Sequence, residues 1–219
     1  MPTIPTVQIS FPDLKLQPAD GHKIRGYFAN WWRDKSDLLH NHTADGASIY
    51  RYPLVQYKVL GRTPTIVGLG EGARLLVDMF LNLEELVIRE DTYPLANKHI
   101  RSKQMEVGAA GEMINYQFIS PWMALNQENF AAWQQAGPEE QQNILHAILV
   151  RNMLSFFKAA DIWIDDQIIV QMDIKPVMTH FKNREMIAFK GRFSANVHLP
   201  DFIGLGKSTS RGYGVIQRV

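Results

Sequence analysis

The order in which strand-like and helix-like segments alternate along the N-terminal half constrains this chain more than any single residue does. In "TVQISFPDLKL", Val7, Ile9 and Phe11 alternate with polar neighbours, the period of a half-buried strand. In "DGHKIRGYFANWWR", Ile24, Tyr27, Phe28 and Trp31 fall at helical spacing, and Asp20 is placed to cap the first turn. After a polar stretch, "ASIYRYPLVQYKVLGRTPTIVGLG" reads as two strands joined at Gly61-Arg62, "EGARLLVDMFLNL" as a short helix and "EELVIREDTY" as a further strand. The order βαββαβ is that of a ferredoxin-like module.

Pro94 and the polar run "LANKHIRSKQ" predict a boundary that divides the chain into residues 1–95 and 96–219. Beyond it, "QMEVGAAGEMINYQFISPW" reads as a hairpin turning at "AAGE". Two helices follow, over about Gln127–Gln135 and Pro138–Ala160, the second with Pro at its first position and Ile144, Leu145, Ile148 and Leu149 on its buried face. "QIIVQMDIKPVMTHFKNREMIAFKGRFSANVHL" alternates as strands, and a last strand, "GYGVIQRV", closes the chain. The predicted fold class is therefore α+β, with tandem ferredoxin-like (RRM-like) βαββαβ domains, the second elaborated with an extra helix.

The chain has 219 residues and no cysteine, which excludes disulfides, thiolate zinc sites and cysteine nucleophiles and fits a reducing compartment. No basic start is followed by an apolar core, and no apolar run approaches the roughly eighteen residues of a membrane span. The expectation is a soluble, cytoplasmic protein with no membrane partner. The net charge of +1 conceals an asymmetry: Lys175–Val219 holds eight Lys/Arg against Glu185 and Asp201, so this segment carries +6 and the remainder −5. A basic C-terminal surface suits an anionic partner, although the same charges also serve to solvate a hairpin.

Within that segment, "DFIGLGKSTSRGYGVIQRV" packs four glycines, three hydroxyls, a Lys and an Arg close together. "GLGKST" is not a Walker A loop: Asp201 stands where that motif needs its first Gly, and Gly212 and Gly214 would break the helix required after it. The second "GLG", Gly68–Gly70, precedes a helix, but Glu71 would face the phosphates of a bound nucleotide, so a tight strand-to-helix turn is the better reading. What remains for the terminal loop is phosphodiester recognition. Gly204, Gly206 and Gly212 free main-chain N–H groups, Ser208, Thr209 and Ser210 supply further donors, and Lys207 and Arg211 supply charge. The alternative is a glycine-rich hairpin crossing with a purely structural role. Lys182, Arg184, Lys190 and Arg192 form a second candidate track for an RNA backbone, while Trp31, Trp32 and Trp122 raise the question of base stacking.

"GLGKSTSRGYGVI" resembles the glycine-rich signature of the CRISPR-associated endoribonucleases that process precursor CRISPR RNA, in the superfamily of repeat-associated mysterious proteins. "INYQFISPWMALNQENF", a strand running through Ser-Pro-Trp towards a helix, resembles the start of the second domain in the same family. The resemblance implies cleavage of CRISPR repeat RNA without metal or other cofactor, by attack of a 2′-hydroxyl on the adjacent phosphate. The products would carry a 5′-hydroxyl and a 2′,3′-cyclic phosphate. It also implies an alternative, a non-catalytic RNA-binding subunit among CRISPR effector-complex subunits, and leaves a homodimer open.

Such chemistry needs a base, an acid and a cation for the phosphorane. The resemblance directs attention to "WWRDKSDLLHNHTADGASIYRY", where a His-x-His pair is followed by Tyr, and it carries catalytic roles onto His40, His42 and Tyr50, with Lys35 as the phosphate-stabilising cation. Two imidazoles suit proton transfer in both directions near neutral pH. A metal site or a solvated loop remain the alternatives for His-x-His, although no third ligand stands at a characteristic spacing.

Overall fold

Residues 1–31, 36–39, 51–88, 90–181 and 184–219 are described by the computed structural model. The N-terminal unit comprises Thr3–Glu106 together with Ser210–Gly212. Strand β1 (Thr3–Ser10) is followed by α1 (Gly21–Trp31), β2 (Val55–Leu60), β3 (Thr63–Leu69), α2 (Glu71–Asn82), β4 (Glu85–Ile88), β5 (Asp91–Pro94) and β6 (His99–Glu106). The main sheet has the order β2-β3-β1-β6, with every pairing antiparallel. That is the strand arrangement of a ferredoxin-like module, with β6 as its fourth strand.

The predicted periodicities produce this core. Val7, Ile9 and Phe11 are buried beneath Ile24 and Phe28 of α1 and Ala73, Leu76 and Met79 of α2. Phe28 stacks on Tyr57 of β2 with ring centroids 5.5 Å apart. Each such side chain contributes about 1.5–3 kcal/mol on full burial. Asp20, expected to cap α1, instead closes a 3-10 turn over Pro18–Asp20: its carboxylate accepts from the Gln17 N–H at 3.0 Å and pairs with Lys23.

The fourth sheet strand is not the one expected. "EELVIREDTY" contains β4 and β5, which among the described residues pair only with each other, while β6 lies in the polar run read as a boundary. The N-terminal unit therefore extends to Glu106, beyond the boundary expected at residue 95. Strand β6 is an edge strand whose residues are mostly exposed, with Ile100 and Met105 half-buried, so its composition is that of a linker.

The C-terminal unit comprises Met1–Pro2, Val107–Thr209 and Tyr213–Val219. It contains β7 (Gly108–Phe118), α3 (Gln127–Gln135), α4 (Pro138–Ala159), β8 (Val170–Phe181), β9 (Arg184–His198) and β10 (Ile216–Arg218), in sheet order β10-β7-β9-β8. Asn126 caps α3 through a 2.7 Å bond from the Asn129 N–H to its Oδ1. Pro138 opens α4, whose Leu145, Ile148, Leu149, Met153, Phe156 and Phe157 are buried. The hairpin expected at "AAGE" is absent: β7 runs straight through it, and its register against β9 shifts between Ala109 and Ile114. The segment therefore breaks the register of a continuous strand rather than turning it back, and a glycine within a strand often marks such a site.

The strand order is again ferredoxin-like, with α3 and α4 filling the first crossover. The second crossover, from β9 to β10, carries no α-helix; the glycine-rich stretch with a 3-10 turn at Thr209–Arg211 occupies its place. The fold class is therefore α+β with tandem ferredoxin-like domains, the second elaborated in one crossover and reduced in the other. Among the described residues no helix is long and apolar enough to cross a membrane.

Candidate nucleic-acid interface

In the C-terminal unit, the glycine-rich stretch is seated on the residues that follow β7. The Phe202 N–H donates to Ile216 O at 2.8 Å, the Ile216 N–H to Ile203 O at 2.9 Å, and the Leu205 N–H to Gly214 O at 2.8 Å, so the two arms of the loop pair with each other. The Gly214 N–H donates to Pro121 O at 2.8 Å, the Val215 N–H to Ser120 Oγ at 2.9 Å and the Lys207 N–H to Met123 O at 3.0 Å. The two segments that carried the family resemblance, "SPW" and the glycine signature, are thus bonded together.

Close approach accounts for two of the glycines. Gly206 has φ +91°, and a Cβ added there would come within 2.6 Å of Trp122 Nε1. A Cβ at Gly204 would come within 2.7 Å of the Thr209 side chain. The main-chain N–H groups of Leu205, Lys207 and Gly214 are already spent inside the protein, so the loop's exposed polar character rests on its side chains. Lys207 is exposed, and partial burial lowers its ammonium pKa; Ser208 is half-buried; Thr209 is buried, with its side chain against Gly204. Trp122 is fully buried, stacked on Phe118 at 5.2 Å, and is no platform for a base. Trp31, expected in the core from its spacing, is 36% exposed and stacks on Tyr27. Trp32 lies outside the described residues.

Ser210, Arg211 and Gly212 belong to the N-terminal unit, where all three are half-buried. The Arg211 carbonyl lies 2.7 Å from where a Cβ on Gly21 would stand, and Gly212 passes the Tyr57 carbonyl and the Lys58 Cα of β2. Burial, then the neighbouring charge of Arg211, lowers the Arg25 guanidinium pKa, against an opposing effect of Tyr57. Lys58 is fully buried, its Nζ donates to Gln56 Oε1 at 2.7 Å, and burial pushes its ammonium down to about 7.

Neither Arg25 nor Lys58 stands out in the sequence. Arg25 reads as a solvated helix position, and in "VQYKVL" Gln56 and Lys58 alternate with apolar residues as the wet side of a strand would. Tyr57 faces α1, so Gln56 and Lys58 point to the opposite face of the sheet. That face is buried here, and alternation alone does not reveal it.

The second track lies on β8 and β9. Their register runs without a break from Val170↔Ala195 to Phe181↔Arg184. Arg184, Lys190 and Arg192, separated by even steps on β9, therefore share the face opposite Phe189 and Phe193, and all three are exposed. Lys175 stands across from Lys190, and Asp173 across from Arg192. Lys182 lies outside the described residues.

His40, His42, Tyr50 and Lys35 also lie outside the described residues. What is visible is the anchor just before them: the Tyr57 hydroxyl, buried so that its pKa is raised, donates to Leu39 O at 3.3 Å. Among the described residues no group of three or more His, Cys, Asp or Glu is arranged to hold a metal ion.

Known proteins resemble the whole of this arrangement. Residues 2–106 match the Cas6b N-terminal domain and residues 108–219 the Cas6b C-terminal domain. A crystal structure of Cas6b superposes with a TM-score of 0.93 at 32% identity, covering 100% of both chains. A crystal structure of the CRISPR RNA processing endoribonuclease Cas6b gives 0.81 at 29% identity, again over 100% of both. An uncharacterized protein of Methanocaldococcus jannaschii is 32% identical over 143 residues, 65% of this chain and 97% of its own length. A type IV Cas6 crRNA endonuclease, Csf5, shares the fold at a TM-score of 0.61 and 13% identity. By the match of both its domains, this chain belongs to the Cas6b family.

Proposed function

We propose that this protein is an endoribonuclease that cleaves CRISPR repeat RNA, by attack of a 2′-hydroxyl on the adjacent phosphorus with departure of the 5′-oxygen. The observation that carries the reading is the full-length likeness to a CRISPR RNA processing endoribonuclease at 29% identity and TM-score 0.81. The exposed row of Arg184, Lys190 and Arg192 on one face of the sheet supports it, because such a row suits a phosphodiester backbone. Lys207, Ser208, Ser210 and Arg211 of the glycine-rich stretch add donors and charge that suit phosphate, with Gly204, Gly206, Thr209 and Gly212 shaping the backbone that presents them.

In this reading His40 and His42 share the proton transfers. One takes the proton of the 2′-hydroxyl and the other returns one to the leaving 5′-oxygen, while Lys35 and Tyr50 stabilise the charged phosphorane. No metal takes part. The partner is repeat RNA.

The test is incubation of the purified chain with its repeat RNA in chelator. The expected outcome is one cut per repeat, with a 2′,3′-cyclic phosphate on one product and a 5′-hydroxyl on the other. His40→Ala combined with His42→Ala should slow cleavage by orders of magnitude with little change in affinity. Tight binding with no cleavage in any buffer would leave an RNA-binding subunit in place of the enzyme. Cleavage that requires a divalent ion would overturn the mechanism.

A further inference from the structure

The polar run "LANKHIRSKQ", which has the composition of a linker, carries β6, the edge strand of the N-terminal sheet, and its cations are not equivalent. Lys98, just before β6, turns to the end of α2: its Nζ donates to Phe80 O at 2.7 Å and to Leu83 O at 2.5 Å, and lies 4.9 Å from the centre of the Phe80 ring. It satisfies carbonyls where a helix ends, a structural task. His99, Arg101 and Lys103 are placed differently. Ile100 stands opposite Ile9 and packs against the apolar core, so it faces the helices, and the residues on either side of it alternate onto the other face of the sheet. His99, Arg101 and Lys103 are all exposed there.

The strand register sets the neighbours of this row. His99 lies opposite Ser10, Arg101 opposite Gln8 and Lys103 opposite Thr6 of β1, so hydroxyls and an amide flank the row and no carboxylate does. Among the described residues none of the three is ion-paired with Asp or Glu. Burial of this face falls away towards the edge: Thr65, Val67 and Leu69 of β3 are buried, Thr6, Gln8 and Ser10 are half-buried, and the row on β6 is open. Alternate residues of a strand stand about 6.8 Å apart, a step similar to that between successive phosphates of an extended nucleic-acid strand. Charge on an edge strand also discourages pairing with another sheet. That need is met by a charge anywhere along the strand, and it does not call for a row on one face bordered by neutral donors.

We propose that Arg101 and Lys103 form a phosphodiester-binding row on the edge of the N-terminal sheet, which holds an extended single-stranded segment of the RNA. The assignment rests on the RNA-processing reading above and adds to it a surface in the N-terminal unit. Arg101 offers paired N–H donors to one phosphate and Lys103 a point charge to the next. Gln8 and Ser10 lie beside them as neutral donors. A single strand is the expected form because the row follows one backbone. A duplex would present a second backbone, and the β1 side of the row holds only neutral groups to meet it.

The experiment uses the full chain and a single-stranded 2′-fluoro repeat oligonucleotide, which keeps the phosphates and lacks the nucleophile. Arg101→Gln, Lys103→Gln and the double variant are compared with wild type and with Arg74→Gln, which removes one exposed charge from α2 of the same unit. Equilibrium binding is measured over a salt series, at a temperature where every variant is folded, and sedimentation reports the oligomeric state. Each single variant of the row should weaken binding severalfold at low salt and take about 0.7 from the slope of log K against log salt, and the double variant about 1.4. Arg74→Gln should keep the wild-type slope. An equal loss of slope in Arg74→Gln would show a long-range effect of net charge and overturn the assignment. A wild-type slope in the double variant would also overturn it while leaving the RNA reading intact, and self-association of that variant would then assign the row to guarding the sheet edge. Absence of salt-dependent binding in the wild-type protein would remove the RNA reading and the row together.

Discussion

The Trp122 indole Nε1 donates to Asn152 Oδ1 at 3.0 Å, and the backbone of Gly206 rests against the edge of the same ring. The contact runs from the long helix α4 through a buried side chain to the glycine-rich loop. It gives the loop's shape a cause in the core: the ring is fixed by helix packing and by stacking on Phe118, and the chain at Gly206 must pass over it. Any polar group the loop presents is thereby positioned by apolar residues that never meet solvent.

Gly206→Ala should test this support directly. The residue has φ +91°, and the added methyl would come within 2.6 Å of Trp122 Nε1. A left-handed backbone at a non-glycine residue costs about 1–3 kcal/mol before the clash is counted. The expected result is a clear drop in the urea midpoint together with weaker RNA binding. Gly111→Ala, where an added Cβ meets nothing within 4 Å, should leave both unchanged. Equal midpoints for the two variants would show that the loop yields freely and that Trp122 does not dictate its path.

Lys58 yields a pH dependence with a definite sign. It is fully buried, and burial pushes its ammonium down to about 7, against about 10.4 in the unfolded chain. Between those values the unfolded state holds a proton that the native state has given up, so the Lys58 contribution makes stability rise with pH across the window. Below about 7 both states are charged and the full penalty of the buried cation persists; above about 10.4 it is gone. Lys58→Met should therefore be more stable than wild type at pH 6, by an amount that shrinks as pH climbs to 10. The slope of the difference is at most about 1.4 kcal/mol per pH unit. Urea titrations at several pH values measure it, and a variant less stable than wild type at pH 6 would show that Gln56 or an anion compensates the charge.

The sequence discloses those parts of the fold whose burial is one-sided. Val7, Ile9 and Phe11, the face of α1 and the caps and ends of α3 and α4 follow from periodicity and capping chemistry, because one side of each element is wet. Strand β6 escapes notice because it is exposed along most of its length, with only Ile100 and Met105 half-buried, which leaves little alternation in its side-chain pattern. Lys58 and Arg25 escape for the opposite reason: the chain places charges on positions that alternation assigns to solvent, and only tertiary packing reveals their burial. The glycines at 204 and 206 serve close packing on Thr209 and Trp122, a role that the letters of the stretch do not disclose because it depends on which side chains tertiary packing brings against them.

The basic face of β8 and β9 permits a prediction in which stability and binding move apart. Lys190 stands opposite Lys175, while Arg192 stands opposite Asp173, which partly cancels its charge. Directly opposed like charges destabilise an antiparallel pair by roughly 0.2–1 kcal/mol. Lys190→Gln should thus raise the melting temperature slightly while lowering RNA affinity and taking about 0.7 from the salt slope, as expected for one lost phosphate contact on a single strand. Asp173→Asn should act the other way on binding, since it unmasks Arg192 and removes a negative charge from the path of the backbone. Filter binding over a salt series resolves both effects. If Lys190→Gln keeps the wild-type slope and Asp173→Asn leaves affinity unchanged, RNA does not follow this face, and the basic residues serve the hairpin's solvation alone.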